Sequence, residues 1–140
     1  MLSRIWKQRD KNPLSIIVLP YVSLINEKEM RLQKLVKGMQ FGHRSINLQS
    51  MYAHKRAIVK EDTNIVLCTI EKANQLMSTL IEEHRTCNEH SRLLDIQSII
   101  IDELHMIGDE QRGFLFEILL TKLVFINKGI VISNENKKKN

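Results

Sequence analysis

Short apolar runs, widely spaced along the chain, predict the strands of a β-sheet. Leu14 to Leu19, Asn64 to Cys68 and Ile99 to Ile101 are almost entirely apolar. Runs of this kind are typical of strands that are buried on both faces, as in a parallel sheet covered by helices. A less regular stretch, Ser45 to Leu48, is a candidate for a further short strand.

Helical periodicity fills the intervals between these runs. Apolar residues recur at helical spacing from Val22 onwards, and Gly38 and Gly42 mark the end of this predicted helix. A second helix is predicted after Thr69, which is suited to cap it. Its apolar positions share one face and are Ala73, Leu76, Met77, Leu80 and Ile81. Arg112 to Ile126 is apolar almost all round and predicts a well-buried helix.

The two ends of the chain are less regular. Met1 to Asn12 carries apolar residues among basic ones and is consistent with the end of an amphipathic helix. Gly129 is expected to end the last helix, Ile130 to Ile132 to begin another strand, and Asn134 to Asn140 to form a polar, disordered tail. The order of strands and helices predicts an α/β fold, with a mostly parallel sheet flanked by helices and right-handed crossovers.

Composition adds a mild preference for an acidic partner. The chain has 140 residues, of which 43% are hydrophobic and 26% charged, which suits one domain with its own core. The formal net charge of +5 suits a nucleic-acid partner without demonstrating one. No apolar stretch reaches transmembrane length and no signal peptide is evident, so we expect an intracellular, soluble protein with no membrane partner.

The cysteines do not favour a disulfide or a metal centre. Cys68 lies in an apolar run, where a buried reduced thiol is the more favoured state. The pattern His84-x-x-Cys87-x-x-His90 suggests a metal site. However, no clear fourth ligand accompanies it and its spacing matches no common zinc module.

The strongest chemical signal is a pair of acids after the last apolar run. Asp102 and Glu103 stand at the carboxyl end of a predicted strand, which is the edge where open α/β sheets bind ligands. One acid there can hold Mg²⁺ on a nucleotide while its neighbour positions a water for phosphoryl transfer. The alternative is that Asp102 caps the following turn beside a solvated Glu103.

A basic segment forms a second candidate surface. Tyr52 to Lys60 contains several basic side chains, which are His54, Lys55, Arg56 and Lys60. A solvated loop or helix face explains such a run, and so does a surface that contacts nucleic-acid phosphates.

The segment Asp102-Glu-Leu-His105 resembles motif II of superfamily 2 helicases in its DExH form. The similarity continues through Met106, Gly108, Asp109, Arg112 and Gly113. This longer pattern is much more specific than DExH alone, and it resembles the helicases of the polymerase-theta-like group. Arg112 and Gly113 correspond to structural positions of that family.

Two further segments resemble motifs of the same family, in the family's order. Leu19 to Ser23 resembles motif Ia, and Cys68 to Asn74 resembles motif Ib. By this resemblance, the nucleic-acid-binding residues are Pro20, Ser23, Thr69 and Lys72. Backbone amides and hydroxyls at helix starts are suitable donors to phosphate. The alternative reading gives Ser23 and Thr69 only ordinary capping roles.

The resemblance also implies the catalytic roles. Asp102 would hold Mg²⁺, usually through water, and Glu103 would orient and activate the attacking water. His105 would link the nucleotide state to the nucleic-acid side. A partly buried His105, satisfied by backbone groups, is the alternative.

The resemblance places residues 1–133 in a partial RecA-like helicase ATP-binding domain, with a polar tail at 134–140. The family's phosphate-binding loop is not found, because none of the five glycines precedes a Lys-Ser or Lys-Thr pair. The family's glycine-containing turn before motif Ib is replaced by Ser50 to His54.

The implied cofactors are ATP and Mg²⁺ in the parent protein, neither expected to bind tightly to this chain alone. The implied partners are single-stranded or forked DNA and a second RecA-like domain, and the implied location is the nucleus. We expect part of an ATP-dependent DNA helicase acting in DNA repair. The alternatives are an inactive, truncated nucleic-acid-binding module and an incomplete gene product.

Overall fold

The computed structural model describes residues 12–41, 44–86 and 92–137, with side chains up to residue 126 except at 40, 41 and 44. In chain order, its strands are β1 (Leu14–Leu19), β2 (Gln40–Phe41), β3 (Arg44–Ser45), β4 (Asn47–Met51), β5 (Thr63–Thr69) and β6 (Ile96–Ile101). Its α-helices are α1 (Val22–Val36), α2 (Ile70–Thr86) and α3 (Gly113–Lys137). Short 3₁₀ helices span Arg92–Asp95 and Leu104–Gly108. The expected helix end at Met1 to Asn12 falls almost entirely outside the described residues.

A four-stranded parallel sheet in the order β4-β5-β1-β6 forms the centre of the fold. The expected α/β architecture with a parallel sheet is therefore confirmed. The two inner strands are the most deeply buried, and every residue of β5 is inaccessible or nearly so. A separate two-stranded antiparallel ribbon joins β2 and β3.

The expectation that the last apolar run is buried on both faces is wrong. β6 is half-buried along most of its length, and Ile100 is 41% exposed. The reason is its position, since among the described strands β6 is an edge that pairs with β1 alone. An aliphatic run identifies a strand, but it carries no information about how many neighbours that strand has.

The described residues divide into two compact units between Glu103 and Leu104. The first unit contains the sheet with α1 and α2. The second contains the 3₁₀ helix Leu104–Gly108 and α3.

The core of the first unit joins the sheet to α1. Leu19, Ile25 and Leu67 form one buried cluster, against which Tyr52 packs from the end of β4. Val36 and its neighbours form a second cluster near the end of α1. Burial of such side chains provides most of the free energy that holds a domain of this size together.

The predicted apolar face of α2 is confirmed. Its buried positions include Ala73, Leu76, Met77 and Leu80, and Ile81 is half-buried. Glu71 occupies the first turn, where a carboxylate interacts favourably with the helix dipole.

Gly38 ends α1 by adopting a left-handed backbone conformation. The helix stops at Val36, two residues before Gly38, whose φ is +88°. The N–H of Met39 then donates to the carbonyl of Val36 at 2.9 Å. A side chain at residue 38 would be strained, so glycine is the natural residue after the helix end. Gly42 lies outside the described residues.

The last helix is longer than the sequence pattern predicts. α3 continues to Lys137, so Gly129 does not end it, Ile130 to Ile132 is not a strand, and residues 134–137 are helical. A short apolar run such as Ile-Val-Ile suits a helix as well as a strand, and one glycine costs a helix only about 1 kcal/mol. The remaining residues of the expected tail, 138–140, lie outside the described part.

The start of α3 is fixed by backbone contacts within the second unit. Oδ1 of Asp109 accepts the N–H groups of Gln111 and Arg112 at 2.9 and 2.8 Å. A Cβ added to Gly113 would collide with the carbonyl group of Ile107. This close approach gives a structural reason for glycine at residue 113.

Cys68 is a buried free thiol, as the sequence predicts. Burial disfavours the charged thiolate and raises the pKa of Cys68 to about 12. Cys87 and His90 fall outside the described residues. Among the residues that are described, no cluster of three or more candidate metal ligands occurs. Within that same part, no helix is long and apolar enough to span a membrane.

Arg92 joins the amino ends of two strands. One guanidinium N–H donates to the carbonyl of Asn12 at 2.9 Å, another to the carbonyl of Thr63, and Asp95 accepts a further contact at 2.9 Å. The Arg92 side chain is only 13% exposed. These bonds hold the starts of β1 and β5 against the 3₁₀ helix that leads into β6.

We predict that Arg92→Ala lowers the free energy of unfolding by about 2–4 kcal/mol, because two partly buried carbonyls lose a charged donor. Urea denaturation measures the change. The matched control is Arg85→Ala, since the Arg85 side chain is 75% exposed in its pair with Glu82. That control is expected to change stability by less than about 1 kcal/mol. Equal losses in both variants would contradict the structural role of Arg92.

We also predict that Ala53→Gly stabilises the chain by about 0.5–1 kcal/mol. Ala53 has a φ of +49°, a left-handed conformation that costs an L-residue about 1 kcal/mol. Ala57→Gly, in the same loop, is the control and is expected to destabilise, because its φ is not left-handed. Urea denaturation measures the free energy of unfolding of both variants. An equal loss of stability in the two would contradict backbone strain at Ala53.

Candidate functional site

The sheet brings three sequence-predicted segments to one edge. In the strand register, Leu19 pairs with Thr69 across β1 and β5, and Val18 pairs with Ile101 across β1 and β6. Adjacent strands lie about 4.8 Å apart. The residues that follow β1, β5 and β6 therefore stand in a row at the carboxyl edge.

Asp102 continues the sheet one residue beyond β6. Its N–H donates to the carbonyl of Val18 at 3.0 Å. Its own Oδ1 accepts the N–H of Glu103 at 3.1 Å. The capping alternative for Asp102 thus holds in part, because one carboxylate oxygen supports the local turn.

Glu103 adopts a strained backbone conformation. Its φ is +57°, a region that L-residues other than asparagine and aspartate rarely occupy, and its side chain is exposed. Strain of about 1–3 kcal/mol at one residue persists only where the surroundings impose it, and such residues cluster at functional sites. The strain at Glu103 is therefore a reason, independent of the motif, to look for function at this turn.

The acid pair suits a hard divalent cation. Mg²⁺ prefers oxygen ligands and commonly takes one or two carboxylates together with nucleotide phosphates. Among the described contacts, Asp102 commits only one carboxylate oxygen to a hydrogen bond. The half-buried Asp102 at a sheet edge, beside the exposed Glu103, therefore fits a magnesium–nucleotide site in its donor chemistry.

Thr69 closes β5 and precedes the first residue of α2. It is 6% exposed, and its Oγ1 accepts the N–H of Lys72 at 3.5 Å, a long bond that caps the helix only weakly. The ammonium of Lys72 donates to Oε1 of Gln75 at 3.1 Å. The capping role of Thr69 is therefore confirmed, and a weak cap leaves the first helical turn suited to receive an anion.

Pro20 and Ser23 lie where β1 passes into α1. Pro20 is buried and Ser23 is exposed. The N-cap of α1 is Tyr21, which makes no side-chain capping bond. The ordinary capping role for Ser23 is therefore wrong, because Ser23 sits inside the first turn of the helix.

His105 belongs to the second unit. It lies in the 3₁₀ helix Leu104–Gly108, and its side chain is exposed. The alternative of a partly buried His105 is therefore wrong. His105 and the acid pair belong to different units, so the role predicted for His105 rests on the motif alone.

The structure adds a feature at the end of β4 that the motifs did not identify. The ammonium of Lys55 lies 2.9 Å from Oγ of Ser50 and 4.0 Å from the centroid of the Tyr52 ring. Met51 pairs with Cys68, so Tyr52 stands level with Thr69 at the same edge. The basic run in the sequence pointed to this loop, but cationic residues alone could not show which of them is held in place.

Comparisons with known proteins show which families of proteins the chain is similar to. The family model described as "DEAD/DEAH box helicase" matches residues 1–134. The chain is 33% identical to DNA polymerase theta of Mus musculus over 129 residues. It is 32% identical to Helicase POLQ-like of Caenorhabditis elegans over 122 residues. It is also 33% identical to ATP-dependent DNA helicase Hel308 of Methanococcus vannielii over 122 residues.

The matches cover most of this chain but little of each relative. The match to polymerase theta covers 91% of this chain and 4% of that relative. For Helicase POLQ-like the shares are 84% and 12%, and for Hel308 they are 83% and 14%. The match to the family model agrees with a parallel sheet flanked by helices. The chain belongs to the DEAD/DEAH box helicase family, as a part of a helicase domain similar to those of polymerase theta, the POLQ-like helicases and Hel308.

Proposed function

We propose that this chain is part of an ATP-dependent DNA helicase of the polymerase-theta-like group, whose parent protein translocates along DNA and unwinds it during repair. The observation that carries the proposal is the row at the carboxyl edge of the sheet. There, Thr69 ends β5, and Pro20 and Asp102 directly follow the next two parallel strands, β1 and β6. The same edge thus carries acids that suit a magnesium-bound nucleotide and the first turns of two helices, which suit the phosphates of a nucleic acid.

The acid pair provides the nucleotide half of this proposal. Asp102 would hold Mg²⁺, directly or through water, and a bound Mg²⁺ neutralises charge on the phosphates. Glu103 would accept a hydrogen bond from the attacking water and orient it, because its carboxylate is exposed beside Asp102. His105 would sense the nucleotide state from the start of the second unit. ATP and Mg²⁺ are cofactors of the family, and the phosphate contacts would come from a glycine-rich loop not found in this sequence.

The neighbouring strand ends provide the nucleic-acid half. The Thr69 hydroxyl and the first amides of α2 would contact one phosphate, and Lys72 would add positive charge. Pro20 and Ser23 would meet the backbone at the start of α1, where the Ser23 hydroxyl is exposed. Such contacts fix the strand's position without reading its sequence.

The remaining parts of the proposal concern the parent protein. Residues 1–133 would form part of the first RecA-like domain, which works against a second RecA-like domain that closes around ATP. The DNA partner would be single-stranded or forked, and the site of action the nucleus. The names of two relatives, a DNA polymerase and an ATP-dependent DNA helicase, support DNA as the partner.

A second candidate is a nucleic-acid-binding module that does not hydrolyse ATP. The absence of a Gly-Lys-Ser or Gly-Lys-Thr sequence from the 140 residues favours it for this chain taken alone. The two candidates differ in whether Glu103 has a nucleotide to act on.

We predict that the 140-residue chain alone hydrolyses ATP no faster than buffer. Without amides that cradle the phosphates, Asp102 and Glu103 have no bound nucleotide to act on. In a longer protein that supplies a Gly-Lys-Thr loop, Glu103→Gln should lower DNA-stimulated ATP turnover about 100-fold or more while ATP still binds.

The control for that experiment is Glu110→Gln, which changes another exposed acid outside the Asp102-Glu-Leu-His105 segment. It should leave turnover within about twofold of the parent, since surface changes away from a site have small effects. Normal turnover in the Glu103→Gln protein would contradict the assigned role. Hydrolysis by the short chain that Glu103→Gln abolishes would contradict the first half of the prediction.

We also predict that Thr69→Val weakens binding of single-stranded DNA about three- to tenfold, the range expected for the loss of one hydrogen bond to a charged group. Fluorescence anisotropy with labelled oligothymidylate measures it. Thr79→Val makes the same chemical change on α2, where the hydroxyl bonds to the Gln75 carbonyl, and should not alter binding. Unchanged binding by Thr69→Val would remove Thr69 from the proposed interface.

A further inference from the structure

The loop between β4 and β5 holds the side chain of Lys55 at the carboxyl edge of the sheet. We propose that Lys55 is a further phosphate contact for single-stranded DNA, which extends the row of contacts from Thr69 to the end of β4. This inference rests on the proposed function and adds to it a residue outside the motifs. It also indicates a path for the bound strand across the sheet.

The strand register sets the position of this loop. Met51, the last residue of β4, pairs with Cys68, the residue before Thr69. Tyr52 therefore stands beside Thr69, one strand spacing of about 4.8 Å away. The row at the carboxyl edge thus reads β4, β5, β1 and β6, with Lys55 near its outer end.

Lys55 is held by contacts that leave it able to bind an anion. Its ammonium donates to Oγ of Ser50 at 2.9 Å and lies 4.0 Å from the centre of the Tyr52 ring. An ammonium has three N–H groups, so at least one stays available for a phosphate oxygen. The residue is exposed, and ordering its side chain before binding reduces the entropy lost on complex formation.

The Tyr52 ring, over which the Lys55 ammonium lies, is itself fixed in place. Tyr52 packs on the buried cluster that contains Leu19 and Leu67. The N–H of Lys55 donates to the carbonyl of Tyr52 at 3.1 Å, closing a turn in which Ala53 is left-handed. The ammonium is therefore anchored through a ring that belongs to the core of the first unit.

The rest of the loop is also anchored to β4. The amide of Gln49 donates to the Ile58 carbonyl at 2.8 Å and accepts the N–H of Lys60 and the hydroxyl of Thr63 at 3.1 and 3.0 Å. This pairing holds the returning half of the loop along the edge strand. Lys60 is consequently fixed near the start of β5, away from the carboxyl edge.

Charge divides the edge into two halves. His54, Lys55 and Arg56 are exposed at the β4 end, whereas Asp102 and Glu103 stand at the β6 end. A polyanion is attracted to the first half and repelled by the second. The favoured path for single-stranded DNA therefore runs over β4, β5 and β1, and leaves the acids to a cation-bound nucleotide.

Binding of fluorescein-labelled oligothymidylate, about 15 nucleotides long, to the full 140-residue chain tests the inference. Anisotropy is measured from about 50 to 200 mM salt. Lys55→Gln should raise the Kd about three- to tenfold and reduce the slope of log Kd against log salt by about 0.7, as expected for one lost phosphate contact. Lys55→Arg keeps the charge and should bind within about twofold of the parent chain.

Lys60→Gln is the matched control, because it removes the same charge from the same loop near the other end of β5. It should change the Kd by less than about twofold and leave the salt slope unaltered. Ser50→Ala removes a positioning contact and should weaken binding about twofold, whereas Ser50→Thr should restore it. Equal effects of Lys55→Gln and Lys60→Gln would overturn the inference.

Thr69→Val in the same assay separates this inference from the proposed function. Binding that depends on Thr69 but not on Lys55 would remove Lys55 and leave the proposed function intact. Binding that depends on Lys55 but not on Thr69 would support the Lys55 contact and reject the assigned role of Thr69. If the unmodified 140-residue chain does not bind the oligonucleotide at about 50 mM salt, both the Lys55 contact and the proposed DNA-binding edge are rejected.

Discussion

The parallel pairing of β1 with β5 and β6 is the constraint on which the candidate site depends. Because the pairs Leu19–Thr69 and Val18–Ile101 fix the register, the segments that follow these strands must meet at one edge. A slip of one residue would turn every side chain to the other face of the sheet. The Arg92 contacts to Asn12 and Thr63 hold the opposite edge, so the register is secured at both ends.

The same edge combines two incompatible electrostatic environments. A carboxylate pair beside a phosphate backbone is repulsive, and the sheet separates the two by placing them on different strands. Asp102 and Glu103 follow β6, whereas Lys55 follows β4, with two strands between them. The left-handed φ of Glu103 shows that the turn after β6 is held in an unfavourable conformation, as expected where position matters more than local stability.

Much of the fold could be predicted from local patterns, and the failures share a cause. The run Leu14 to Leu19 and the face from Ala73 to Leu80 carried enough periodicity to fix a strand and a helix. The exposure of β6 and the continuation of α3 past Gly129 depend on what surrounds each segment, which a linear pattern does not contain. The restraint of Lys55 likewise arises from contacts with Ser50 and Tyr52 that form only in the folded loop.

The most direct measurement of the central claim is an NMR titration of the ¹⁵N-labelled chain with oligothymidylate. The account predicts amide shifts at the carboxyl edge, in residues 21–23, 52–55 and 69–72, with little change near Arg92 and Thr63. Shifts concentrated at that opposite, amino edge would contradict it, because the motif residues would then share an edge for structural reasons alone.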